Sequence, residues 1–187
     1  MSFGQDRYLK PSDLDKNGVL GNYYDGLFPL LHKGFANKPV ARYTLIPSFS
    51  SEFAFSAEVK DGRFFINSNY LSTSYWYAKN KQNVKVKHAF MEIDNELYVK
   101  ITTLFDLVIK QARMPENNTL GLDGETSYLS TTENGTVRTG EIWSPNKASL
   151  MGRLVEICKQ LYLIGLGKNV SQDEVVTQIN HLMFDLQ

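Results

Sequence analysis

Apolar and polar residues alternate along Glu52–Val59, with Phe53, Phe55, Ala57 and Val59 on one side, and again along Val84–Phe90 through Val84, Val86, His88 and Phe90. A two-residue period predicts half-buried strands, because successive side chains of a strand point to opposite faces. On that reading Lys85 and Lys87 take the wet face, and His88 sits inward between Val86 and Phe90 as a core histidine. Val40–Ile46 before Pro47, Arg63–Asn67 and Tyr70–Tyr77 complete a five-strand meander. Lys60-Asp61-Gly62 is a hairpin turn, and links this short allow only antiparallel neighbours.

Beyond residue 90 the period changes to 3.6. Asp94 caps a helix over 94–113 whose apolar stripe is Leu97, Ile101, Leu104, Phe105, Val108 and Ala112, ended by Met114-Pro115. Glu125–Thr132 and Thr136–Trp143 flank Asn134-Gly135, the pair a type I′ turn prefers because both central residues need positive φ. Ser144-Pro145 reads as the start of a helix over 145–165, with Ser144 as cap. Its apolar residues form two stripes, one through Met151, Leu154, Val155, Cys158, Leu161 and Tyr162, the other through Leu150, Ile157 and Ile164, so two sides are buried; Gly165 and Gly167 stop it. Ser171-Gln172-Asp173-Glu174 is a capping box that opens a last helix over 172–186.

Residues 1–39 follow neither period. Pro11, Gly18, Gly21, Gly26, Pro29, Gly34 and Pro39 interrupt too often for a long helix, yet Tyr23, Tyr24, Leu27, Phe28, Leu30, Leu31 and Phe35 are too apolar for water. An irregular aromatic segment with a helical turn or two, packed as a lid, is expected there. Residues 40–187 are expected to form a single α+β domain: a mostly antiparallel sheet, meander plus hairpin, packed on one face by three helices. Strand order does not follow from the pattern.

Composition narrows the function classes. The chain has 187 residues, and 20 Lys and Arg balance 20 Asp and Glu, so no global field draws in nucleic acid or an anionic membrane. No apolar run approaches the ~18 residues of a membrane span. With no export signal in the chain as read, a cytoplasmic protein is expected by default, or an exported one if its start was trimmed. Cys158 is the single cysteine, which excludes an internal disulfide and a multi-cysteine zinc site. Flanked by Leu154 and Leu161, it reads as inert core. His32 and His181 lack metal-spaced partners, and Gly165-Leu166-Gly167-Lys168 stands at a helix end, where no amides face a phosphate.

Three patterns carry candidate chemistry. Asp13-Leu14-Asp15-Lys16-Asn17-Gly18 matches the first half of a calcium loop, with Asp25 one residue past the place of the closing bidentate carboxylate; no other cofactor is expected. The ordinary alternative is a surface turn in which Asp and Asn bond their own backbone. Between Asp61 and Glu92 there is no carboxylate, while Arg63, Lys79, Lys81, Lys85 and Lys87 interleave with Tyr70, Tyr75, Trp76 and Tyr77. Lysines also guard strand edges against aggregation. As a recognition surface, Tyr75, Trp76, Tyr77, Lys79, Lys81, Lys85 and Lys87, with Trp143, suits a protein or glycan partner better than nucleic acid in a neutral chain. Finally, Asp123, Glu125, Glu133 and Glu141 crowd the second hairpin, where two carboxylates ~5–9 Å apart could hydrolyse a glycoside.

The runs Gly121-Leu122-Asp123-Gly124-Glu125-Thr126-Ser127-Tyr128, Thr139-Gly140-Glu141-Ile142-Trp143-Ser144-Pro145 and Gly152-Arg153-Leu154-Val155-Glu156-Ile157 together resemble a pattern in small bacterial proteins of unassigned activity. The resemblance spans residues 90–165 and implies a common domain type, with no catalytic residues to carry over. The expected function is therefore a non-catalytic binding protein, such as an immunity- or inhibitor-type partner of another bacterial protein. The alternatives are a carboxylate-based hydrolase and a calcium-stabilised secreted protein. The calcium reading requires millimolar calcium to raise the melting temperature and Asp13→Ala to abolish the rise; an unchanged melting curve ends it.

Overall fold

The computed structural model describes residues 6–12, 18–115 and 124–187. Among them, seven strands form one antiparallel sheet: β1 (Lys10–Ser12), β2 (Ala41–Pro47), β3 (Phe53–Lys60), β4 (Arg63–Leu71), β5 (Val86–Ile93), β6 (Glu125–Glu133) and β7 (Thr136–Trp143). Their order is β1-β7-β6-β2-β3-β4-β5. Four helices accompany them: α1 (Gly18–Leu31), α2 (Asn95–Lys110), α3 (Leu150–Gly165) and α4 (Gln172–Leu186). The α+β class with an antiparallel sheet is as expected. No helix of the described residues is long and apolar enough to cross a membrane.

Both tight hairpins form where their dipeptides predict, with Asp61 and Asn134 at φ 53° and 51° and the following glycines at 75° and 80°. The meander β2–β5 is local, whereas the second hairpin joins it through β6 against β2, with Tyr43 opposite Leu129. On one face, Ala41, Tyr43, Leu45, Phe55, Ala57, Ile66 and Leu129 pack against α2, α3 and α4. Tyr43 is wholly enclosed, and its hydroxyl is satisfied by Ser127 Oγ at 2.8 Å. Cys158 lies in the same core, where burial pushes its thiol up, as inert sulfur requires.

Four expectations need correction. The meander has four strands, because Tyr70–Tyr77 is not one: β4 runs unbroken through Ser68-Asn69, and residues 72–85 form a loop. The polar pair that looked like a break anchors a helix on each face. Ser68 Oγ donates to the Tyr162 carbonyl of α3 at 3.0 Å, and Asn69 Nδ2 donates to the carbonyls of Leu31 and Lys33 at the end of α1, at 2.8 and 2.9 Å.

The N-terminal segment holds a 14-residue helix, α1, packed on the sheet face opposite the other three. Pro29 falls in its last turn, where it supplies no amide to the Asp25 carbonyl, and the helix ends two residues later. Gly26 is there for packing, since a Cβ would meet the Tyr75 hydroxyl at 2.2 Å. The cap of α3 is Ser149, whose side chain accepts from Gly152 N, while Ser144 adopts φ 36° and bonds β6 through Glu125 N. His88 is exposed rather than core, because its face of β5 extends beyond α1; its Nδ1 meets Asn69 Oδ1 at 2.7 Å.

At the other end of α3, Gly165 lets the helix press onto β4: a Cβ there would lie 2.7 Å from Ile66 Cγ2 and 2.2 Å from Ser68 Oγ. Gly165→Ala should lower the unfolding free energy by about 1–3 kcal/mol through overpacking, although an alanine inside a free helix gains about 1 kcal/mol. Denaturant melting reads the sign, and a more stable variant would show that the contact relaxes.

Candidate functional site at the aromatic end of the sheet

Phe49, Trp76, Tyr77 and Trp143 are 74, 46, 58 and 42 % exposed, and all sit at one end of the sheet. Phe49 lies on the β2–β3 loop, Trp76 and Tyr77 on the β4–β5 loop, and Trp143 closes β7. Backbone bonds gather them about Ser48. Its carbonyl accepts from the Tyr77 hydroxyl at 2.9 Å, and its amide and hydroxyl exchange bonds with Gly124 at 2.8 and 3.0 Å. Gly124 is in turn so close to the Trp143 ring that a Cβ would lie 2.9 Å from it.

The β4–β5 loop is held from beneath. Glu52, fully buried at the head of β3, accepts from the Tyr23 hydroxyl at 2.7 Å, from Tyr75 N at 2.9 and 3.1 Å, and from Trp76 N and Ser74 Oγ at 3.4 Å. Burial, and then the bond to Glu52, push the Tyr23 phenol well up, so it remains a donor. At the other side of the turn, Lys81 Nζ donates to the Tyr75 and Trp76 carbonyls and lies 5.1 Å from the Tyr75 ring centre. A carboxylate at the amide end and an ammonium at the carbonyl end match the dipole of the turn. Trp76 meets Tyr23 edge-on at 5.0 Å, and Tyr23 continues through Tyr24 into Phe28 and Tyr128.

Of the residues singled out from the sequence, Tyr75, Trp76, Tyr77, Lys79 and Lys81 thus share one loop, and Trp143 comes to the same end of the sheet. Tyr75 is half-buried against Gly26, while Lys79 is exposed. Lys85 precedes β5 and Lys87 lies on it, 5.8 Å from the Tyr70 ring centre, so both belong to the sheet edge rather than to the loop. Phe49 and Glu52 went unread. An isolated loop phenylalanine carries no periodic signal, and a buried carboxylate at a strand head is marked only by the distant amides it serves.

Beside Phe49 a groove of about 590 Å³ runs under α3, walled by Pro47, Glu125, Lys147, Val155, Glu156 and Lys159. Glu125 pairs with Lys159 across it. Glu141 stands opposite Tyr128, three residues from Glu125 along β6, so the two carboxylates occupy opposite faces of the sheet. Glu141 meets Lys10 at 3.3 Å and Glu133 meets Arg138 at 2.9 Å. The hairpin carboxylates therefore do not converge, and Asp123 lies outside the described residues. So do Asp13, Asp15 and Asn17; Asp25 is exposed on α1. Among the described residues no group of three or more His, Cys, Asp and Glu could hold a metal.

Under the far end of α1, His32 Nε2 meets Thr44 Oγ1 at 2.8 Å and its Nδ1 faces Arg42 at 3.5 Å. Arg42 also donates to the Ala36 carbonyl. Comparison with known protein families, curated proteins and solved structures finds no match.

Burial, reinforced by Arg42, lowers the His32 pKa from 6.5 to about 3. The unfolded chain therefore takes up this proton first as pH falls below about 6.5, and stability drops until about pH 3. Between pH 7 and 4 the native protein should lose on the order of 2–3 kcal/mol more than His32→Gln, measured by denaturant melts at each pH. Parallel pH profiles would show that the imidazole is protonated in the fold without cost.

Proposed function

We propose that the protein is a non-catalytic binding protein that grips another protein through the aromatic end of its sheet, in the manner of an immunity or inhibitor protein. The observation that carries this reading is that Trp76 and Tyr77 are exposed on a loop whose backbone is bonded to the buried carboxylate of Glu52. Large rings on a backbone already fixed lose little entropy when they dock, which is why Trp and Tyr dominate binding hot spots. Lys79 and Lys81 beside them, in a stretch free of carboxylates, favour an acidic partner surface. A hydrolase draws no comparable support, since Glu125 and Glu141 lie on opposite faces.

Trp76 and Trp143 are the two tryptophans of the chain, so its tryptophan fluorescence reports on this surface alone. A partner purified with the protein from its native host should shift that emission. Trp76→Ala and Tyr77→Ala should each weaken its binding at least tenfold, about 1.4 kcal/mol, with melting temperatures little changed. A partner bound equally well by both variants would place recognition elsewhere. An emission shift with oligosaccharides and none with proteins would make the ligand a glycan.

A further inference from the structure

The strand β5 closes one side of the sheet, and among the described residues no strand lies beyond it. Its pairing with β4 is continuous from Leu71↔Val86 to Phe64↔Ile93, without a bulge, and it contains no proline. An edge of eight residues with neither device is a template for another strand.

The hydrogen bonds show which of its groups are free to pair. Leu71 N donates to Glu52 O, so residue 71 faces β3, and Ser72 N donates to Lys85 O, so residue 72 faces β5. In an antiparallel ladder the direction alternates with every residue. Lys85, Lys87, Ala89 and Met91 therefore bond inward to β4, while Val86, His88, Phe90 and Glu92 turn their amides and carbonyls outward. These four also share one face of the strand. There Phe90 is 63 % exposed, 6.1 Å from Phe65 and 6.1 Å from His88 between ring centres.

Charge selects the occupant. Lys85 and Lys87 make the beginning of this edge basic, while Glu92, Asp94 and Glu96 make its end acidic. A second copy running antiparallel lays each basic end beside an acidic one. We propose that a second copy of this chain pairs antiparallel with β5 about a two-fold axis at Phe90, joining the two sheets into one. Such an axis, perpendicular to the sheet, requires facing residues to share a face, so their numbers sum to an even value. Centred on Phe90, the register sets the two Phe90 rings against each other and His88 opposite the partner's Glu92. All of these residues already direct their backbone groups outward. Glu92 keeps its ion pair with Arg63 on its own chain.

Light scattering on a sizing column, over about 1–200 µM protein, should show a concentration-dependent doubling of the 21.3 kDa monomer mass. His88→Pro removes an outward amide, which an edge strand tolerates, together with the exposed ring's bond to Asn69 Oδ1, so it should leave the circular dichroism unchanged and the protein monomeric. Phe90→Lys sets like charges face to face and should do the same, deciding the matter should the proline variant misfold. Phe90→Cys tests the register. With Cys158 buried it supplies the one accessible thiol, and facing residues about 5.5 Å apart at Cα fall within disulfide range. Mild oxidation should then trap a covalent dimer. A wild-type protein monomeric over the whole range, or a dimer that survives Phe90→Lys, overturns the proposal. A dimer that Phe90→Cys does not cross-link overturns the two-fold at Phe90.

Discussion

The ladder between β2 and β6, Arg42–Pro47 against Glu125–Ser130, holds the molecule together. Every other strand pair in the sheet joins neighbours in sequence or adds the short β1 to its margin. This pair brings together segments about 80 residues apart, with α2 between them, and places Tyr43 at the centre of the main core. Because β6 begins beside Pro47, the same ladder lays Gly124 against Ser48 and so fixes the Trp143 end of β7 next to the β2–β3 loop. The aromatic end of the sheet follows from this register. A slip by one residue would turn Leu129 out of the core and carry Trp143 away from Ser48.

The two faces of the sheet are chemically different. On one, α2, α3 and α4 cover aliphatic and aromatic side chains with few polar groups. The other presents Arg42, Thr44, Glu52, Asn69 and Tyr128, and α1 with the residues just after it covers them: hydroxyls and the His32 imidazole meet Arg42, Thr44, Glu52 and Tyr128, and the carbonyls of Leu31 and Lys33 accept from Asn69. Buried polar groups of this kind are costly unless bonded, so they define the position of α1 more sharply than apolar contacts alone would. Glu52 extends the same network outward. By binding the amides of Tyr75 and Trp76 it makes an exposed loop continuous with a buried layer, which is what a preformed recognition surface needs.

Much of this was legible in the sequence where the determinants are local. The last helix was expected over 172–186 and α4 occupies Gln172–Leu186, because its cap, Ser171, lies three residues from the amide it serves. Asp61-Gly62 and Asn134-Gly135 form the expected hairpins because their φ preferences act within the turn itself. The reading failed where a residue answers to a distant partner. Gly26 looked like a breaker and makes room for Tyr75, Ser68-Asn69 looked like a strand end and secures two helices, and Ser144 looked like a helix cap and bonds a neighbouring strand. Of the aromatic end, the Tyr75–Lys81 loop and Trp143 stood out by composition, whereas Phe49 and Glu52 did not.

The sequence by itself determined the kinds of element, the antiparallel pairing of adjacent strands and the apolar stripes of α2, α3 and α4, since periodicity, turn dipeptides and caps act over a few residues. Only the tertiary structure decided the strand order, the face that α1 covers, which carboxylates stand apart and which strand is left at the edge. Those depend on contacts between segments tens of residues apart, where many pairings satisfy the same local pattern and only the simultaneous packing of both sheet faces selects one.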